Sequence, residues 1–457
     1  MNTTYDVRLW KTKVYKGVRK TGYYVRWSVA GREWSEAFQN STLADSFRSE
    51  LVAAARRGEA FDIETGLPVS MRRANREMSW YDFACAFVDL KWPRVAATTR
   101  RTHAEALTAI TASLLAGTRG KPDDKLIRHA LCRWAFNTNR RTDPQCPAEV
   151  KAAMAWLARN TRPVSALAKP DVLRAALDSL TVKLDGTPAA PSVTSRKRKI
   201  FGTAVEYAVE LKLLDANPIP ALKWTKVRTT HAVDRRSVAN PVQARTLLNA
   251  VREHGRCGPR LVAFFGCLYF AGMRPEEAVG LRKSNLSLPD EGWGEFHLEI
   301  AEPHAGKEWT NSGQNRDRRQ LKQRAVGESR TVPCPPELTA LLHWHIDQFG
   351  TAPDGRVFTG ERNKGELPKG TINRAWRAAR RATFTPEVAA SPLAATPYDL
   401  RHAAVSTWLN GGVPPAEVAA WAGHSVEVLL KIYAKCLDGG AERLRQRVEA
   451  ALGHRPA

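Results

Sequence analysis

Two polar, basic stretches divide the 457-residue chain into three segments whose hydrophobic residues recur with different periods. The first stretch reads GLPVSMRRANREMS and the second reads ANPIPALKWTKVRTTHAVDRRSV. Proline and charge in such stretches are typical of linkers, and a chain of this length commonly forms about two to four domains. We therefore predict three domains, at residues 1–70, 78–220 and 236–457.

The first segment alternates aromatic and β-branched residues with polar ones in VRLWKTKVYKG, GYYVRWSVAG and REWSEAF. This period of two predicts strands, and LADSFRSELVAAARRGEAF then shows a helical period. A three-stranded sheet against one helix is the simplest assembly. Its basic face could enter a DNA groove, although lysines also protect solvated edge strands. The candidate DNA contacts here are Lys11, Lys13, Lys16, Arg19, Lys20 and Arg26.

The second segment has helical periodicity throughout, in WYDFACAFVDLKW, TTRRTHAEALTAITASLL, EVKAAMAWLARN, KPDVLRAALDSL and SVTSRKRKIFGTAVEYAVELKLL. The last helix begins with four consecutive bases, which oppose the helix dipole. A phosphate contact would account for them, and a solvated basic turn is the alternative. The candidate DNA contacts in this segment are Arg100, Arg101, Arg196, Lys197, Arg198 and Lys199.

The third segment mixes helices with a strand region at Glu295–Ile300 and Ser329–Pro333. The polar stretch HAGKEWTNSGQNRDRRQLKQRAVGE between those strands predicts a mobile hairpin excursion. The whole chain is therefore expected to be multidomain and mainly helical, with α+β modules: a three-stranded sheet plus helix, a helical domain, and a mixed α/β domain.

The charge of the chain indicates its class of partner. Lysine and arginine number 70 against 46 acidic residues, a formal net charge of +24. Such an excess of positive charge favours a polyanion as the partner. Nucleic acid is the first candidate and a membrane surface the second, because no amphipathic membrane anchor is evident. No apolar run reaches about 18 residues and the N-terminus lacks a signal-peptide pattern, so we expect a cytoplasmic protein. Seven cysteines without a CxxC pair predict no metal site, and no cofactor is predicted.

Three clusters in the third segment carry the chemistry. FAGMRPEEAVGLRKSNL holds Arg274, TPYDLRHAAVSTWLNGGV holds Arg401 and His402, and VAAWAGHSVEVLLKIYAKCLDG holds His424 and Tyr433. Two arginines can each bind one phosphate bidentately, a histidine can donate to a third oxygen, and a tyrosine hydroxyl can attack phosphorus. Taken singly, each residue is more often structural. Together they describe metal-free phosphoryl transfer to tyrosine, with arginines neutralising the transition-state charge.

In order and spacing these clusters resemble the tyrosine recombinases, the phage-type integrases, in an actinobacterial mobile-element form. The family's G-x-R-x-x-E-x-x-x-L box reads GMRPEEAVGL here, its H-x-L-R-H box reads YDLRH, and its L-G-H box reads AGH. The spacings fit, with 424 − 401 = 23 and 433 − 424 = 9. One departure is Tyr398, which stands where the family usually has histidine. Tyrosine can donate a hydrogen bond but is a poor base near neutral pH, so its part in proton transfer is open.

The resemblance implies a role for each residue of the set. Tyr433 would be the nucleophile that forms a 3′-phosphotyrosyl link and releases a 5′-hydroxyl. Arg274 and Arg401 would clamp the nonbridging oxygens, with His424 donating to the same phosphate. Tyr398 would contact the scissile phosphate as well.

The remaining roles concern proton transfer and support. The family carries a general-acid lysine on a hairpin ahead of an S-R-x-V-P strand, which reads SRTVP here. That lysine is Lys322, with Lys307 as the competitor because the hairpin is long. His402 would support the nucleophile or its phosphate, and Glu277 would orient the arginine box.

The resemblance implies a site-specific DNA recombinase that integrates and excises a mobile element. It would act as a homotetramer on double-stranded DNA with core and arm sites, in the bacterial cytoplasm at the nucleoid. A directionality factor and a DNA-bending host protein are possible partners. The alternatives are a type IB topoisomerase-like or resolvase enzyme, and a non-catalytic DNA-binding protein on the same scaffold. The C-terminal AERLRQRVEAALG would dock either on a neighbouring protomer or on its own domain.

Overall fold

The computed structural model of the protein describes residues 3–16, 21–74, 78–224, 232–322, 327–361, 364–433, 436 and 441–453. It divides into two compact units, residues 1–95 with 99–227 and residues 96–98 with 228–457. Among the described residues, no helix is both long and apolar enough to cross a membrane. The further division of the first unit into a sheet domain and a helical domain stays a prediction.

The N-terminal sheet has β4 as its central strand, paired antiparallel with β5 on one side and with β2 and β3 on the other. The three predicted strands are thus present, with the first broken into two short pieces. Val25, Trp27 and Val29 of β4 are buried in one core with residues of α1, as alternation requires. The elements are β1 Thr3–Thr4, β2 Val7–Leu9, β3 Lys13–Lys16, β4 Thr21–Val29, β5 Arg32–Phe38, α1 Ser41–Arg56 and β6 Phe61–Asp62.

The predicted helical segment is helical in the structure. Its largest buried side chains are aromatic, and Trp80 packs edge-on to Phe201 with ring centroids 6.0 Å apart. A short helix, α2 Val69–Ala74, precedes this segment, whose helices are α3 Trp80–Lys91, α4 Ala97–Ser113, α5 Asp124–Ala130, α6 Thr138–Arg141, α7 Ala148–Asn160, α8 Pro170–Ser179 and α9 Pro191–Glu210. A π-helical turn, Leu131–Ala135, follows α5.

The second unit is built around α11, whose apolar side chains are buried on nearly every face. Phe265 of α11 stacks on Trp376 of α14, with ring centroids 5.1 Å apart. The helices are α10 Pro241–Arg252, α11 Gly258–Phe270, α12 Pro275–Val279, α13 Pro336–Phe349, α14 Lys369–Thr383, α15 Pro386–Ala390, α16 Asp399–Asn410, α17 Pro415–Ala422, α18 Val426–Tyr433 and α19 Ala441–Ala451.

Two small antiparallel sheets cover this helical core. One has the strand order β11-β8-β7, and the other pairs β9 with β10. The two predicted strands are therefore present and paired with each other, with Arg330 opposite Leu298. The strands are β7 Leu286–Ser287, β8 Gly294–Leu298, β9 Ile300–Ala301, β10 Arg319–Gln320 and β11 Arg330–Cys334.

The segment between β9 and β10 corrects the predicted mobile excursion. Residues 302–318 form an ordered loop in which Trp309 is completely buried. Arg316 donates to the backbone oxygens of Glu302 at 2.9 Å and Leu367 at 2.8 Å, and its Nε lies 2.7 Å from a carboxylate oxygen of Glu366. A buried tryptophan and a buried, bonded arginine fix this loop, although its remaining residues are polar. Residues 323–326 of the predicted excursion lie outside the described residues.

Candidate active site

The three sequence clusters meet at one place in the second unit. Arg274 begins α12, Arg401 lies in the first turn of α16, His424 follows α17, and Tyr433 ends α18. Arg401 Nη2 is 3.0 Å from His424 Nε2, and His402 Nδ1 is 2.9 Å from the Tyr433 hydroxyl. Residues up to 159 positions apart thus share one site, since 433 − 274 = 159.

Arg401 is held entirely inside the protein, with 0% of its surface exposed. Its guanidinium donates to the backbone oxygens of Gly272 and Ala422 and to His424. The Nε atom has no hydrogen-bond partner among the described residues. An arginine buried this deeply keeps its charge only with such acceptors around it, so the site is a buried cluster of positive charge.

Glu277 is the counterion of this cluster. One carboxylate oxygen accepts from Arg274 Nη1 at 2.7 Å and Arg330 Nη1 at 3.1 Å. The other accepts from the Arg274 backbone N–H at 2.8 Å and Arg330 Nη2 at 2.6 Å. Burial alone would raise the pKa of Glu277, but Arg330, Arg274 and Arg401 together bring that pKa down to about 2. Three arginines thus surround one carboxylate, which leaves a net positive charge for an anion.

Arg330 is the functional residue that the sequence reasoning missed. It is buried at the start of β11 and binds both oxygens of Glu277. Its neighbour on the other side is Gly423, whose carbonyl oxygen accepts from Arg274 Nη2 at 2.9 Å. Arg330 therefore supports both groups that hold Arg274. The sequence feature that could have identified Arg330 is its position in SRTVP, a motif that was interpreted only as a strand.

Gly423 ends α17 in the left-handed region, with φ +62° and ψ +52°. This conformation favours glycine. A Cβ at this position would lie 2.3 Å from Arg330 Nη1, well inside van der Waals contact. The residue before His424 is thus required to be glycine for two independent reasons.

We expect Gly423→Ala to slow the reaction of this site by about 10²-fold, because a displacement of about 1 Å at a catalytic group has that effect. The change strains the backbone and pushes Arg330 away from Arg274 and Glu277. Gly313→Ala is the matched control, since Gly313 has φ +68° and no atom within 4 Å of its Cβ position. Thermal melting would first show that both variants are folded, and their reaction rates would then be compared. Equal rates for Gly423→Ala and Gly313→Ala would contradict the crowding at Arg330.

The two histidines of the site are neutral near pH 7. Burial, and after it the charge of Arg401, lowers the pKa of His402 to about 4 and that of His424 to about 3. Because an arginine nitrogen can only donate, the bond from Arg401 makes His424 Nε2 the acceptor and places the ring proton on Nδ1. That Nδ1 has no hydrogen-bond partner among the described residues. His424 Nδ1 is therefore a buried donor without an acceptor among the described residues, and its contact to phosphate stays a prediction.

Tyr433 is buried, with 1% of its surface exposed. Burial raises the pKa of its hydroxyl well above the usual range, although Arg401 opposes this. The phenol is thus protonated at neutral pH in the unbound protein. A nucleophilic tyrosine in this setting needs a proton acceptor as well as charge stabilisation.

A cavity of about 550 Å³ in the same unit is lined by Lys322 and Tyr398. Arg316 and Lys369 contribute further positive charge to its wall. Lys307 lies on the ordered loop, is exposed, and does not line this cavity. Lys322 thus lines this cavity and Lys307 does not, and the choice of Lys322 as the hairpin lysine stays a prediction.

The basic residues of the N-terminal sheet are only partly described. Lys11 and Lys13 are exposed. Arg26 lies 2.7 Å from Glu33 and places its guanidinium over the Trp10 ring, 5.4 Å from the centroid. Lys16 belongs to β3. The predicted contacts Arg19 and Lys20 lie outside the described residues.

The predicted DNA contacts of the helical segment separate into two groups. Arg196 and Lys199 are exposed at the start of α9, and Arg198 is half-buried with its guanidinium 5.1 Å from the Trp224 ring centroid. Arg101 is half-buried, 3.8 Å from Glu105. These side chains are at or near the surface.

Arg100 and Lys197 are corrections to that prediction. Arg100 is 6% exposed and donates through Nε to the Trp92 backbone oxygen at 2.9 Å. Lys197 is 5% exposed and donates to the Val182 backbone oxygen at 3.0 Å. Both side chains are directed into the first unit, so neither is placed to bind a phosphate.

Metal ligands are not brought together. Within the described parts of the chain, no group of three or more His, Cys, Asp or Glu side chains could hold a metal ion.

Comparison with known proteins gives a family match over the second unit. Residues 238–438 match the model of the phage integrase family. This range contains every residue of the site described above. No curated protein matches the chain.

Several solved structures are similar to parts of the chain. The Tn1549 transposon integrase in complex with transposon right-end DNA is 16% identical, covers 68% of this chain and 96% of its own, and has a TM-score of 0.48. The XerH site-specific recombinase bound to its difH substrate is 12% identical, covers 78% and 96%, and has a TM-score of 0.42. A lambda integrase dimer bound to a COC′ core site is 14% identical, covers 60% and 86%, and has a TM-score of 0.40.

Proposed function

The C-terminal domain of the chain belongs to the phage integrase family, and on this premise we propose that the protein is a site-specific tyrosine recombinase that integrates and excises a mobile element. The observation that carries the proposal is the convergence of Arg274, Arg401, His424 and Tyr433 in one buried, positively charged site. A DNA phosphodiester supplies the anion that this charge calls for.

The chemistry proposed for this site is a pair of transesterifications. The Tyr433 oxygen attacks the scissile phosphorus, the bond to the 5′-oxygen breaks, and a 3′-phosphotyrosyl link holds the cut strand. Arg274 and Arg401 neutralise the charge that develops on the nonbridging oxygens. His424 donates its Nδ1 proton in a hydrogen bond to the same phosphate. The 5′-hydroxyl of a partner strand then attacks the link, and since one ester replaces another, no nucleotide cofactor is required.

Before DNA binds, the guanidinium of Arg401 is already occupied by hydrogen bonds within the protein. In the unbound protein its guanidinium is bonded to the backbone oxygens of Gly272 and Ala422. Phosphate oxygens are the acceptors that replace such carbonyls when DNA binds. Tyr433, equally buried, becomes accessible in the same rearrangement.

DNA binding outside the catalytic unit is proposed for the exposed face of the N-terminal sheet and for the start of α9. Lys13 and Tyr24 are paired across neighbouring strands and both are exposed. Val25 and Trp27 are buried, so alternation places Arg26 on the same outer face as Tyr24. We propose this face as the arm-site contact, and residues 78–220, with Arg196 and Lys199, as the core-site domain.

Assembly and location follow from the same proposal. Strand exchange between two duplexes requires four active subunits, so the protein would act as a homotetramer on DNA, with α19 as a candidate contact between neighbours. A directionality factor and a DNA-bending host protein would bias the direction. The reaction would take place at the nucleoid, in the bacterial cytoplasm.

Strand exchange is the direct test of this function. Purified full-length protein would be incubated with nicked, fragmented DNA of its source genome, and protein–DNA adducts resistant to SDS would be captured and sequenced. Duplexes carrying the captured sequence would then be tested for exchange and for relaxation of a supercoiled plasmid. Exchange between two duplexes at one sequence is expected. Relaxation without exchange would indicate a topoisomerase-like enzyme, and binding without adducts would indicate a non-catalytic protein.

We expect Lys322→Ala to slow formation of the adduct by about 10²- to 10⁴-fold, the usual contribution of a general acid. Replacing the leaving 5′-oxygen of the DNA by sulfur should restore the rate, because a thiolate leaves without being protonated. Lys307→Ala is the matched control and should react like the unmodified protein. If instead Lys307→Ala were slow and recovered with the sulfur-containing DNA, while Lys322→Ala reacted normally, Lys307 would be the general acid.

A further inference from the structure

The proton of the Tyr433 hydroxyl needs an acceptor, and the structure places one group against it. His402 Nδ1 lies 2.9 Å from the Tyr433 oxygen, a normal hydrogen-bond distance. His402 is the residue after Arg401, in the first turn of α16. The contact joins α16 to the last residue of α18.

The other candidates for this acceptor fail on chemical grounds. His424 accepts from Arg401 at Nε2 and carries its own proton on Nδ1, so it has no free lone pair. Tyr398 offers a phenol hydroxyl, whose oxygen is a weaker proton acceptor than an imidazole nitrogen. Arginine and lysine side chains are donors. His402 is thus the one neutral base among the groups that carry the proposed reaction.

We propose that His402 is the general base of the reaction and takes the proton from Tyr433 as the tyrosine oxygen attacks phosphorus. This inference rests on the proposed function. The bond that forms joins the Tyr433 oxygen to phosphorus, and the bond that breaks joins phosphorus to the 5′-oxygen. The hydroxyl proton moves to Nδ1, which makes His402 an imidazolium. In the second transesterification, that proton returns to the Tyr433 oxygen as it leaves.

The charge of His402 agrees with this role, and the role in turn fixes its tautomer. A tyrosine hydroxyl that donates to Nδ1 requires the ring proton on Nε2. Burial, followed by the charge of Arg401, lowers the pKa of His402 to about 4, so the ring is unprotonated at neutral pH. A base that was already protonated could not act.

DNA supplies the driving force for the transfer. In the unbound protein the raised pKa of Tyr433 and the lowered pKa of His402 oppose proton movement. A phosphate that binds beside them places a negative charge near the imidazole, which raises its pKa. The transfer is therefore coupled to attack on the phosphate and does not precede it.

The groups that set the pH dependence come from every element around the pair. Arg401 lies on the same helix as His402, and Tyr398 directly precedes that helix with its ring centroid 5.1 Å from the imidazole. His424 and Tyr433 face it from the segment that includes α18, and the Tyr433 centroid is 5.6 Å away. Arg274 acts on both His424 and Tyr433. Of these groups, His402 titrates with a pKa of about 4 and His424 with a pKa of about 3 in the unbound protein.

The test separates a base from a residue that merely holds Tyr433 in place. His402→Asn keeps a hydrogen-bond acceptor near the position of Nδ1 but cannot take a proton. Adduct formation would be followed in a single turnover on nicked DNA carrying the captured sequence, from pH 4 to 9. The unmodified protein should show a rate that rises with pH and then levels off at the apparent pKa of His402.

We expect His402→Asn to be slower by about 10²-fold or more at neutral pH, with a rate that keeps rising with pH because hydroxide replaces the base. Sulfur at the leaving 5′ position should not restore it, in contrast to Lys322→Ala. His297→Asn is the matched control, since His297 Nδ1 also faces a hydroxyl, that of Thr331 at 3.4 Å, outside the site. His402→Ala should recover activity in added imidazole, which gives a second readout if the asparagine variant is unstable.

The outcomes are distinct. A His402→Asn variant with the rate and pH profile of the unmodified protein would show that His402 only positions the hydroxyl, and would overturn the proposal. If the unmodified protein forms no adduct on any DNA, the proposed function fails and the role of His402 fails with it. A slow variant with a lost plateau, in a protein that otherwise forms the adduct, supports the role of His402 as base.

Discussion

Tyr433→Phe is expected to abolish the covalent protein–DNA adduct and all strand exchange, a loss of at least about 10⁴-fold, which is typical when a nucleophile is removed. Phenylalanine fills the same buried space but has no oxygen to form the phosphotyrosyl bond. The fold should survive, because only the hydrogen bond to His402 is lost, at a cost of about 1 kcal/mol. SDS-resistant adducts on nicked DNA and a gel-shift assay for binding would measure the two properties separately.

A second buried tyrosine provides the control for this variant. Tyr269 of α11 is 5% exposed and lies in the same unit. Tyr269→Phe removes a buried hydroxyl in the same way but should leave adduct formation intact. Adducts that persist in Tyr433→Phe would mean that another residue is the nucleophile, and the assignment of the site would be wrong.

Glu277→Ala is expected to destabilise the second unit by about 3–5 kcal/mol, the usual effect of removing one partner of a buried ion pair. Four hydrogen bonds from Arg274 and Arg330 end on this carboxylate. Without it, these two arginines and Arg401 share a buried site with no negative charge. Urea denaturation monitored by tryptophan fluorescence would measure the loss, and adduct formation should fall with it because Arg274 is released.

The control for Glu277→Ala lies one residue away. Glu276 is half-buried on the same helix. Glu276→Ala therefore removes the same charge from the same helix as Glu277→Ala, but it leaves the arginines paired with Glu277. It should cost little in the free energy of unfolding. If both variants lose the same stability, the buried counterion is not what stabilises the site.

Acid provides an independent check on Glu277. Its pKa of about 2 in the folded protein is below the ordinary value of 4.5, so its contribution is complete above pH 4.5. This stability is lost as the pH falls from about 4.5 towards 2, because the unfolded chain takes up the proton first. Glu277→Gln has no such proton to gain. The difference in stability between the unmodified protein and this variant should therefore shrink as the pH is lowered through that range.

The sequence was sufficient for the residues whose spacing is tied to chemistry. Arg274, Arg401, His424 and Tyr433 were found by the order of three boxes, and the structure brings them together. Arg330 was not found, because its role depends on a neighbour 53 positions away in the chain, since 330 − 277 = 53. Local patterns reveal which side chains are available, whereas a buried ion pair depends on tertiary packing.

The basic run at the start of α9 shows how adjacency in sequence misleads. Arg196, Lys197, Arg198 and Lys199 were grouped because they are consecutive. A helix turns by about 100° per residue, so four consecutive side chains point in four directions. Lys197 lies three residues from both Thr194 and Ile200, which are buried, and it is therefore on the inner face. Helical spacing applied to this run would have separated it from its neighbours.

The ordered loop between β9 and β10 was mistaken for a mobile one for a related reason. Its composition is polar, which usually indicates solvent exposure. Two of its residues decide otherwise, because Trp309 is buried and Arg316 bonds to two backbone oxygens of the surrounding chain. A single tryptophan among polar residues was the available indication of a small core.

The carbonyl groups that occupy Arg401 in the unbound protein have a consequence for the choice of target. A DNA phosphate that displaced the backbone oxygens of Gly272 and Ala422 from this guanidinium would gain only the difference in free energy between two similar sets of hydrogen bonds. The reacting phosphate then adds little affinity, and its interactions are reserved for the transition state. Discrimination between one DNA sequence and another would then fall to surfaces outside this site. Variants with altered target preference should accordingly be sought on those surfaces, where they leave the rate of strand cleavage unchanged.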